Sequence, residues 1–434
     1  MASLGAGGFT IKKIATSAVA AALVLPLGVL LASPAPASKQ ARGPDASADV
    51  FVPESSIPQI EDFGVRMHTN HLIYTGPWFD RSDEDGTLEA ALFPSHGPSL
   101  GKTFAPSGYS PAQIRIAYNL PSTGGSGAIA IVDAFHYGTA LNDFNVFAGQ
   151  FSLPKETSTN ATASTNKVFQ IVYQGTTQPA GNASWNEEEA LDIEWAHALA
   201  PSAKIYLVEA NSASDADLFA AAKKAATLVG VKEVSMSFGG SEFSGETTYD
   251  TSFTGTSGVV FFASAGDTGG EKEYPSESPS VVGVGGTTLT LKSNKFSSET
   301  AWSGSGGGAS AYEGIPSYQS VISSIVGKKR GCPDIALDAN PSTGVAVYDS
   351  TNYAGNVGWL VFGGTSVASP CCASIANLSG HALGSSAAEL ARIYKELGTS
   401  AFRDITSGTA GSNKAKAGWD FVTGAGAPLG TGAL

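Results

Sequence analysis

Short apolar runs alternate with segments of helical pattern along this 434-residue chain, and this alternation limits the fold more than any other feature of the sequence. The runs have the length and composition of buried strands, and the helical segments between them are typical of βαβ units. We therefore predict an α/β fold with a mainly parallel central sheet and helices on both faces. The predicted strands cover residues 128–132, 168–172, 205–209, 233–237, 259–263 and 281–284, and the predicted helices cover residues 111–118, 186–199, 214–228, 369–383 and 387–397.

The composition fits a large folded protein. Hydrophobic residues make up 42% of the chain and charged residues 15%, so the chain can bury a substantial core. The formal net charge of −13 argues against nucleic acid as a partner, because a surface that binds nucleic acid must neutralise phosphates.

The first residues have the pattern of an export signal. Lys12 and Lys13 precede an apolar run over residues 14–31, and a small-residue cleavage site follows at residues 35–37. The run approaches the length of a membrane span, so an uncleaved anchor is the alternative, but Pro26 favours cleavage. We expect a signal peptide over residues 1–37, a secreted protein, and no stable membrane association after cleavage.

The chain after this signal divides into two parts. Residues 38–106 are rich in Pro, Asp, Ser and Gly and contain few long apolar runs, which predicts an irregular N-terminal segment or a shortened propeptide. Residues 107–434 hold the alternating strands and helices and form the predicted main domain.

A serine stands between a glycine turn and a predicted helix in Gly363-Gly364-Thr365-Ser366, with Pro370 four residues further on. Glycines allow a sharp turn and a close approach to a ligand, and proline is favoured in the first turn of a helix. Ser366 would then lie at a helix N-terminus, where free N–H groups favour negative charge. This suits a serine nucleophile that attacks a carbonyl group, although a Gly/Ser loop that caps an ordinary helix fits the same residues.

The candidate base is a carboxylate, because none of the six histidines has a suitable setting. His68 and His71, for example, precede the predicted main domain. An acidic segment opens the predicted helix over residues 186–199, where Glu188 and Asp192 are four residues apart and share one face. Like charges at that spacing raise the pKa of at least one of the two carboxyl groups. A solvated acidic face is the alternative, but the apolar residues that follow favour a buried helix.

A third candidate carboxyl group follows the apolar run over residues 259–263. This run reads as a buried parallel strand that ends in a glycine turn and delivers Asp267 to a loop at its carboxyl end. Ligands of open α/β sheets bind outside the carboxyl ends of the strands. An Asp-Thr-Gly turn without chemistry is the alternative for this segment taken alone.

Together these segments resemble the sedolisin, or serine-carboxyl peptidase, family, which has a subtilisin-like fold. The resemblance runs from about residue 110 to the C-terminus, and its motifs occur in the family order. The matching residues are Ile131-Val132-Asp133-Ala134, Glu188 with Leu191-Asp192-Ile193-Glu194, Ala198-Leu199-Ala200-Pro201-Ser202-Ala203-Lys204-Ile205, Ala265-Gly266-Asp267, Arg330-Gly331-Cys332-Pro333-Asp334-Ile335, and Gly364-Thr365-Ser366 with Ser369-Pro370.

The resemblance implies roles for five residues of these motifs. Ser366 would be the nucleophile, Glu188 its base and acid, Asp192 the residue that orients Glu188, and Asp267 the oxyanion donor, with Asp133 in a supporting position. A histidine base is largely protonated below pH ~6, whereas a glutamate still accepts a proton in acid. The resemblance therefore implies a secreted, acid-acting peptidase that cleaves peptide or protein substrates, and we expect a monomer.

Two features depart from the family pattern. Most members carry a large folded propeptide, and residues 38–106 are too few for one, which puts activation by propeptide removal in doubt. Phe238 stands before Gly239-Gly240, where the family often has tryptophan, and phenylalanine lacks an indole N–H donor.

The resemblance also implies one calcium ion near the C-terminus. Two aspartates would bind through side chains and three residues through backbone carbonyls, a set of oxygen ligands that suits calcium. Lys416 stands where a glycine is usual, and an Asp-capped loop without an ion is the alternative. The matching positions are Asp404, Ile405, Lys416, Gly418 and Asp420.

The three cysteines do not form a disulfide framework. The sequence leaves two possibilities open: a bridge from Cys332 to Cys371 or Cys372, or three buried free thiols.

Two other functions compete with peptidase activity. A catalytically silent subtilisin-like binding domain would keep the fold without the chemistry, and a serine esterase would need a Gly-x-Ser-x-Gly elbow that Ser366 lacks.

Overall fold

The computed structural model describes residues 49–77, 106–254, 258–380 and 383–434. The predicted signal peptide and part of the predicted N-terminal segment lie outside these ranges. The described residues all belong to one compact unit, Pro44–Leu434. None of the helices in the described ranges is long and apolar enough to cross a membrane.

Seven α-helices and twenty-one strands make up the described structure. The helices are α1 Pro111–Ala117, α2 Ala140–Gln150, α3 Ala183–Leu199, α4 Asp215–Ala225, α5 Ser323–Val326, α6 Thr365–Ser379 and α7 Ser386–Lys395. The strands are β1 Val50–Phe51, β2 His68–Thr69, β3 Leu72–Tyr74, β4 Ala128–Ala134, β5 Phe169–Tyr173, β6 Lys204–Ala210, β7 Val231–Met236, β8 Phe238–Ser241, β9 Val260–Ser264, β10 Glu273–Tyr274, β11 Val282–Lys292, β12 Lys295–Ala301, β13 Gly308–Gly314, β14 Lys329–Cys332, β15 Ile335–Asp338, β16 Val345–Tyr353, β17 Asn356–Gly363, β18 Phe402–Arg403, β19 Thr409–Ala410, β20 Asn413–Lys414 and β21 Ala427–Pro428.

The central sheet has eight strands and is mainly parallel, as the alternation of the sequence predicts. Its order is β12-β11-β9-β7-β4-β6-β5, and β15 also pairs with β11. The pairs from β11 to β5 are parallel, and so is the β11–β15 pair, whereas β12 returns antiparallel to β11. All six predicted strands lie in this sheet.

Each face of the central sheet buries a separate hydrophobic cluster. On β4, Ile129 and Ile131 point into one cluster with residues of α3 and α6, whereas Ala130 and Val132 point into the other with residues of α4. Successive side chains of a strand alternate between faces, so helices must cover both sides of a strand that is apolar throughout.

The helix that carries the candidate serine begins earlier than the sequence predicted. It starts at Thr365 and not at residue 369, so Pro370 lies inside it. Proline has no N–H to donate to the carbonyl of Ser366 four residues before it. Ser237 Oγ lies 3.4 Å from that carbonyl oxygen.

The described part of the N-terminal segment contains short strands, although the sequence predicted an irregular chain. β2 pairs antiparallel with β8, and β3 pairs antiparallel with β17. β1 in turn pairs with β3, so this segment adds strands to two small sheets beside the central one. We define residues 49–77 as the cleft segment, because they cross the candidate site described next.

Candidate active site

The candidate residues meet at the carboxyl edge of the central sheet. Ser366 is in the first turn of α6, Glu188 and Asp192 lie one turn apart on α3, Asp267 follows β9, and Asp133 is near the end of β4. Ligand sites of open α/β folds occur at this edge, where the strands end and the connecting loops begin.

Ser366 and Glu188 are in direct contact. The hydroxyl of Ser366 donates to Oε2 of Glu188 at 2.9 Å, and both residues are fully buried. Burial raises the pKa of Glu188 to about 8, although its hydrogen bond with Ser366 acts in the opposite direction. In its ionised form Glu188 is therefore a strong acceptor for the serine proton.

Glu188 and Asp192 form a buried carboxyl pair. The two side chains lie one turn apart on the same face of α3, and each carboxyl group shifts the pKa of the other. Asp192 also accepts from Ser237 Oγ at 2.9 Å. Burial, followed by the charge of Glu188, raises the pKa of Asp192 well above its ordinary value. The pair therefore titrates as a unit.

Asp267 presents one oxygen to the protein and leaves the other open. Oδ1 accepts from the backbone N–H of Thr365 at 2.7 Å and from its hydroxyl at 2.8 Å. Oδ2 is buried and has no hydrogen-bond partner in the described ranges. Burial raises the pKa of Asp267 well above its ordinary value, so this carboxyl group stays protonated in acid and can donate from Oδ2.

The cleft segment places a peptide carbonyl between the same groups. The backbone N–H of Ser366 donates to the carbonyl oxygen of Asn70 at 3.0 Å, and the N–H of Asn70 donates to the carbonyl of Ser237 at 3.2 Å. Gly364 has a φ of +101°, and a Cβ there would overlap both the Asn70 oxygen and Oδ2 of Asp267. Glycine at this position therefore leaves the room in which the carbonyl oxygen and the open carboxyl oxygen meet.

The side chain of Asn70 contacts a second acidic group of the cleft. Its amide donates to Oε2 of Glu273 and to Oγ of Ser264, both at 2.9 Å. His68, two residues earlier, lies with Nε2 3.7 Å from Oε1 of Glu273. Around Asn70 the cleft segment thus lies between two strands that pair with the domain, β2 with β8 and β3 with β17.

His71 is a site residue that sequence reasoning missed. Its Nδ1 lies 2.8 Å from Oε2 of Glu188, the oxygen that also accepts from Ser366, and its Nε2 lies 3.5 Å from Oε2 of Glu187. The contact depends on β2 and β3, which are two and three residues long, and such short strands have no periodicity to detect.

The remaining candidate, Asp133, lies apart from the serine. Both of its oxygens are buried without a hydrogen-bond partner in the described ranges, and burial followed by the charges of Asp192 and Glu188 raises its pKa well above the ordinary value.

His197 packs against Phe144 with ring centroids 4.6 Å apart, and burial lowers its pKa to about 4.

The expected calcium positions lie on one C-terminal loop. Oδ2 of Asp404 accepts from the N–H of Gly418, and Oδ2 of Asp420 accepts from the N–H of Lys416, each at 3.0 Å. Within the described ranges, no donor contacts the carbonyl oxygens of Ile405, Lys416 or Gly418. No group of three or more His, Cys, Asp or Glu side chains there is arranged to hold a metal ion, whereas the expected set has only two carboxylates.

The cysteine question has a definite answer. Cys332, Cys371 and Cys372 are all buried free thiols, so no bridge links Cys332 to the helix of the candidate serine. Burial raises the pKa of each thiol well above its ordinary value, which leaves them unreactive.

Comparisons with known proteins identify the family. The model of the Subtilase family matches residues 170–426. Kumamolisin from Bacillus sp. (strain MN-32) is 31% identical over 92% of this chain and 77% of its own length. The chain belongs to the sedolisin family, with a subtilisin-like fold. Sedolisin from Pseudomonas sp. (strain 101) is 37% identical, over 35% of this chain and 28% of that protein.

A solved structure agrees with the sequence matches. The complex of Pseudomonas sedolisin, a serine-carboxyl proteinase, with two molecules of pseudo-iodotyrostatin has a TM-score of 0.63 and 25% identity, over 75% of this chain and 96% of that one. The predicted fold class is therefore confirmed, and the chain is a serine-type peptidase.

Proposed function

We propose that this chain is a secreted serine-carboxyl peptidase that acts in acid, with Ser366 as nucleophile. The observation that carries the proposal is the hydrogen bond from Ser366 to Glu188, made at the point where a peptide carbonyl meets the N–H of Ser366. A nucleophile, its base and an oxyanion donor then surround one carbonyl group, which is the arrangement that acyl transfer requires. The export pattern of residues 1–37 supports secretion.

In the proposed reaction Oγ of Ser366 attacks the peptide carbonyl carbon while its proton passes to Glu188. Asp192 shares the proton of the pair and holds Glu188 in place. Asp133 acts electrostatically on this carboxyl pair without contacting Ser366. The N–H of Ser366 and protonated Oδ2 of Asp267 donate to the oxyanion. Glu188 then protonates the leaving amine, and a water molecule, deprotonated by Glu188, hydrolyses the ester on Ser366.

We also propose that the cleft segment acts as a shortened propeptide and that the Asn70–His71 bond is its cleavage site. The carbonyl of Asn70 accepts from Ser366, and the segment pairs with strands on both sides of that bond. A substrate cannot enter while this segment fills the cleft, so the chain is inhibited until the piece that ends at Asn70 leaves.

The C-terminal loop fits the calcium ion that the family resemblance implies. Asp404 and Asp420 would bind it through carboxylate oxygens, and Ile405, Lys416 and Gly418 through the carbonyls that contact no donor in the described part of the chain. The ion would tie this loop to the domain. Chelator should lower the melting temperature of wild type and hardly change that of Asp420→Ala, whereas equal shifts would argue against the ion.

The catalytic proposal is tested with the full chain and a synthetic peptide of residues 66–74 at acid pH. We expect wild type to cut the peptide after its Asn and to convert its own chain to a form that begins at His71, both visible by mass spectrometry. Ser366→Ala should do neither. Ser369→Ala, which removes a hydroxyl one turn along the same helix, should retain cleavage. Cleavage by Ser366→Ala at the wild-type rate would reject the nucleophile, and a wild type that cuts nothing would favour a silent binding domain.

A further inference from the structure

A closed pocket surrounds the imidazole of His71 beside the proposed base. The ring is fully buried, lies between Glu188 and Glu187, and stacks on Phe362 with centroids 5.5 Å apart and an interplanar angle of 20°. Two carboxyl groups therefore face its two ring nitrogens while an aromatic ring covers one face. This set of contacts recognises the chemistry of an imidazole rather than apolar bulk.

Glu187 has no part in the proposed reaction. Neither of its oxygens accepts a hydrogen bond of normal geometry in the described ranges, although the residue is fully buried. Burial raises the pKa of Glu187, and the His71 ring is the largest opposing influence on that pKa. A buried carboxyl group without a partner is costly, so the contact with the imidazole ring offsets part of that cost.

The register of the cleft segment tells which substrate residue this pocket receives. The carbonyl of Asn70 meets the N–H of Ser366, so His71 is the first residue after the bond that Ser366 attacks. We propose that Glu187, with Glu188 and Phe362, is a specificity pocket that selects histidine, and secondarily other cationic side chains, immediately after the cleaved bond. This inference rests on the proposed function.

The chemistry of the pocket sets an order of preference. Histidine, cationic in acid, satisfies both carboxyl groups and the ring stack. Lysine supplies the charge but not the flat ring, alanine leaves Glu187 unpaired, and glutamate places a third acid beside two others. A charge-assisted hydrogen bond in a buried site corresponds to roughly a ten- to hundredfold preference for histidine over alanine.

The test uses peptides of residues 66–74 in which the position of His71 carries His, Lys, Ala or Glu. They are mixed and digested together by the full chain at acid pH, and the products are quantified by mass spectrometry. Competition within one tube gives ratios of kcat/KM that do not depend on how much enzyme is active or how much of the cleft is still occupied. We expect the order His, Lys, Ala, Glu.

Glu187→Gln should lower the His-to-Ala ratio by roughly tenfold. Glu187→Lys should favour the Glu peptide over the His peptide. Glu389→Gln, which removes a buried carboxyl group from α7 outside the cleft, should leave every ratio unchanged. The rate on the Ala peptide separates lost selectivity from a damaged fold.

A wild-type His-to-Ala ratio near one, or a ratio that Glu187→Gln does not lower, would overturn the pocket and leave the peptidase proposal intact. If wild type cuts none of the four peptides, the proposed function itself fails. The wild-type ratio decides the matter even if a Glu187 variant does not fold.

Discussion

Two buried glutamates, Glu188 on α3 and Glu156 before β5, have pKa values that are shifted in opposite directions. Burial would raise the pKa of Glu156 too, but backbone N–H groups, among them those of Ser158, Lys167 and Val168 at 2.8–3.0 Å, outweigh it and lower that pKa to about 2. Glu188 accepts from Ser366 and faces His71, yet burial outweighs the hydrogen bonds and raises its pKa to about 8. The balance between burial and the donors aimed at a carboxylate decides its charge.

This difference separates a structural from a reactive environment. Glu156 ties a loop to the start of β5 and is ionised at every ordinary pH. The acids of α3 have oxygens without a partner among the described residues, such as Oε1 of Glu188 and Oδ2 of Asp192, and hold protons that can move. Unsatisfied, titrating groups cluster where chemistry occurs.

The largest expected effect comes from Glu188→Gln. The amide cannot accept the proton of Ser366, so kcat/KM on the peptide of residues 66–74 should fall by about 10²–10⁴. Gln keeps the size of the side chain, so the melting temperature at pH 5 should change little. Full activity in this variant would remove Glu188 from the reaction.

Asp267→Asn tests whether a raised carboxyl pKa supplies the donor to the oxyanion. The amide donates at every pH but with altered geometry, so the rate should fall by at most ~10²–10³, the usual effect of losing such a donor. The alkaline limb of the pH–rate profile should move upward, because Asp267 in wild type stops donating once it ionises. The profiles of both proteins on one peptide check this. An unshifted limb would leave Asp267 without the proposed role.

The free energy of unfolding should fall as pH rises from about 5 to 8. Burial raises the pKa of Glu233 to about 8, and that of Glu246 to about 8, so their folded forms hold protons that the unfolded chain releases near pH ~4.5. Their stabilisation is complete below pH ~4.5 and is lost as pH rises toward 8. Glu233→Gln, with no proton to lose, should flatten the fall in melting temperature between pH 5 and 8. An identical slope in wild type and variant would contradict the shift.

Glu156→Gln should show the opposite pH dependence and the smallest effect. The lowered pKa of Glu156 stabilises the fold above the unfolded pKa near ~4.5, and this contribution is lost as pH falls toward 2. The variant should lose about 1–2 kcal/mol at pH 7, measured by urea unfolding, and almost nothing near pH 2. A constant loss across this range would show a packing effect instead of a charge effect.

The sequence predicted those site residues that lie in, or directly after, a long helix or strand. Glu188 and Asp192 follow from helical spacing, and Asp267 from the end of an apolar strand, because local patterns place such residues. Asn70 and His71 gave no such signal. Their positions depend on two antiparallel pairings with β8 and β17, which are about 170 and 290 residues away, and long-range pairing leaves no local pattern. The start of α6 was misjudged because Pro370 suggested a helix start that tertiary contacts override.

The pairing of the cleft segment on both sides of Asn70–His71 has a consequence for timing. If that bond is cut, the upstream piece is still paired through β2 and the downstream piece through β3, so neither is set free by the cut alone. Bond cleavage and the appearance of activity toward added substrate are then separate events. A time course should show the mass change first and a lag before turnover, with the lag set by dissociation of the strands and not by the chemistry.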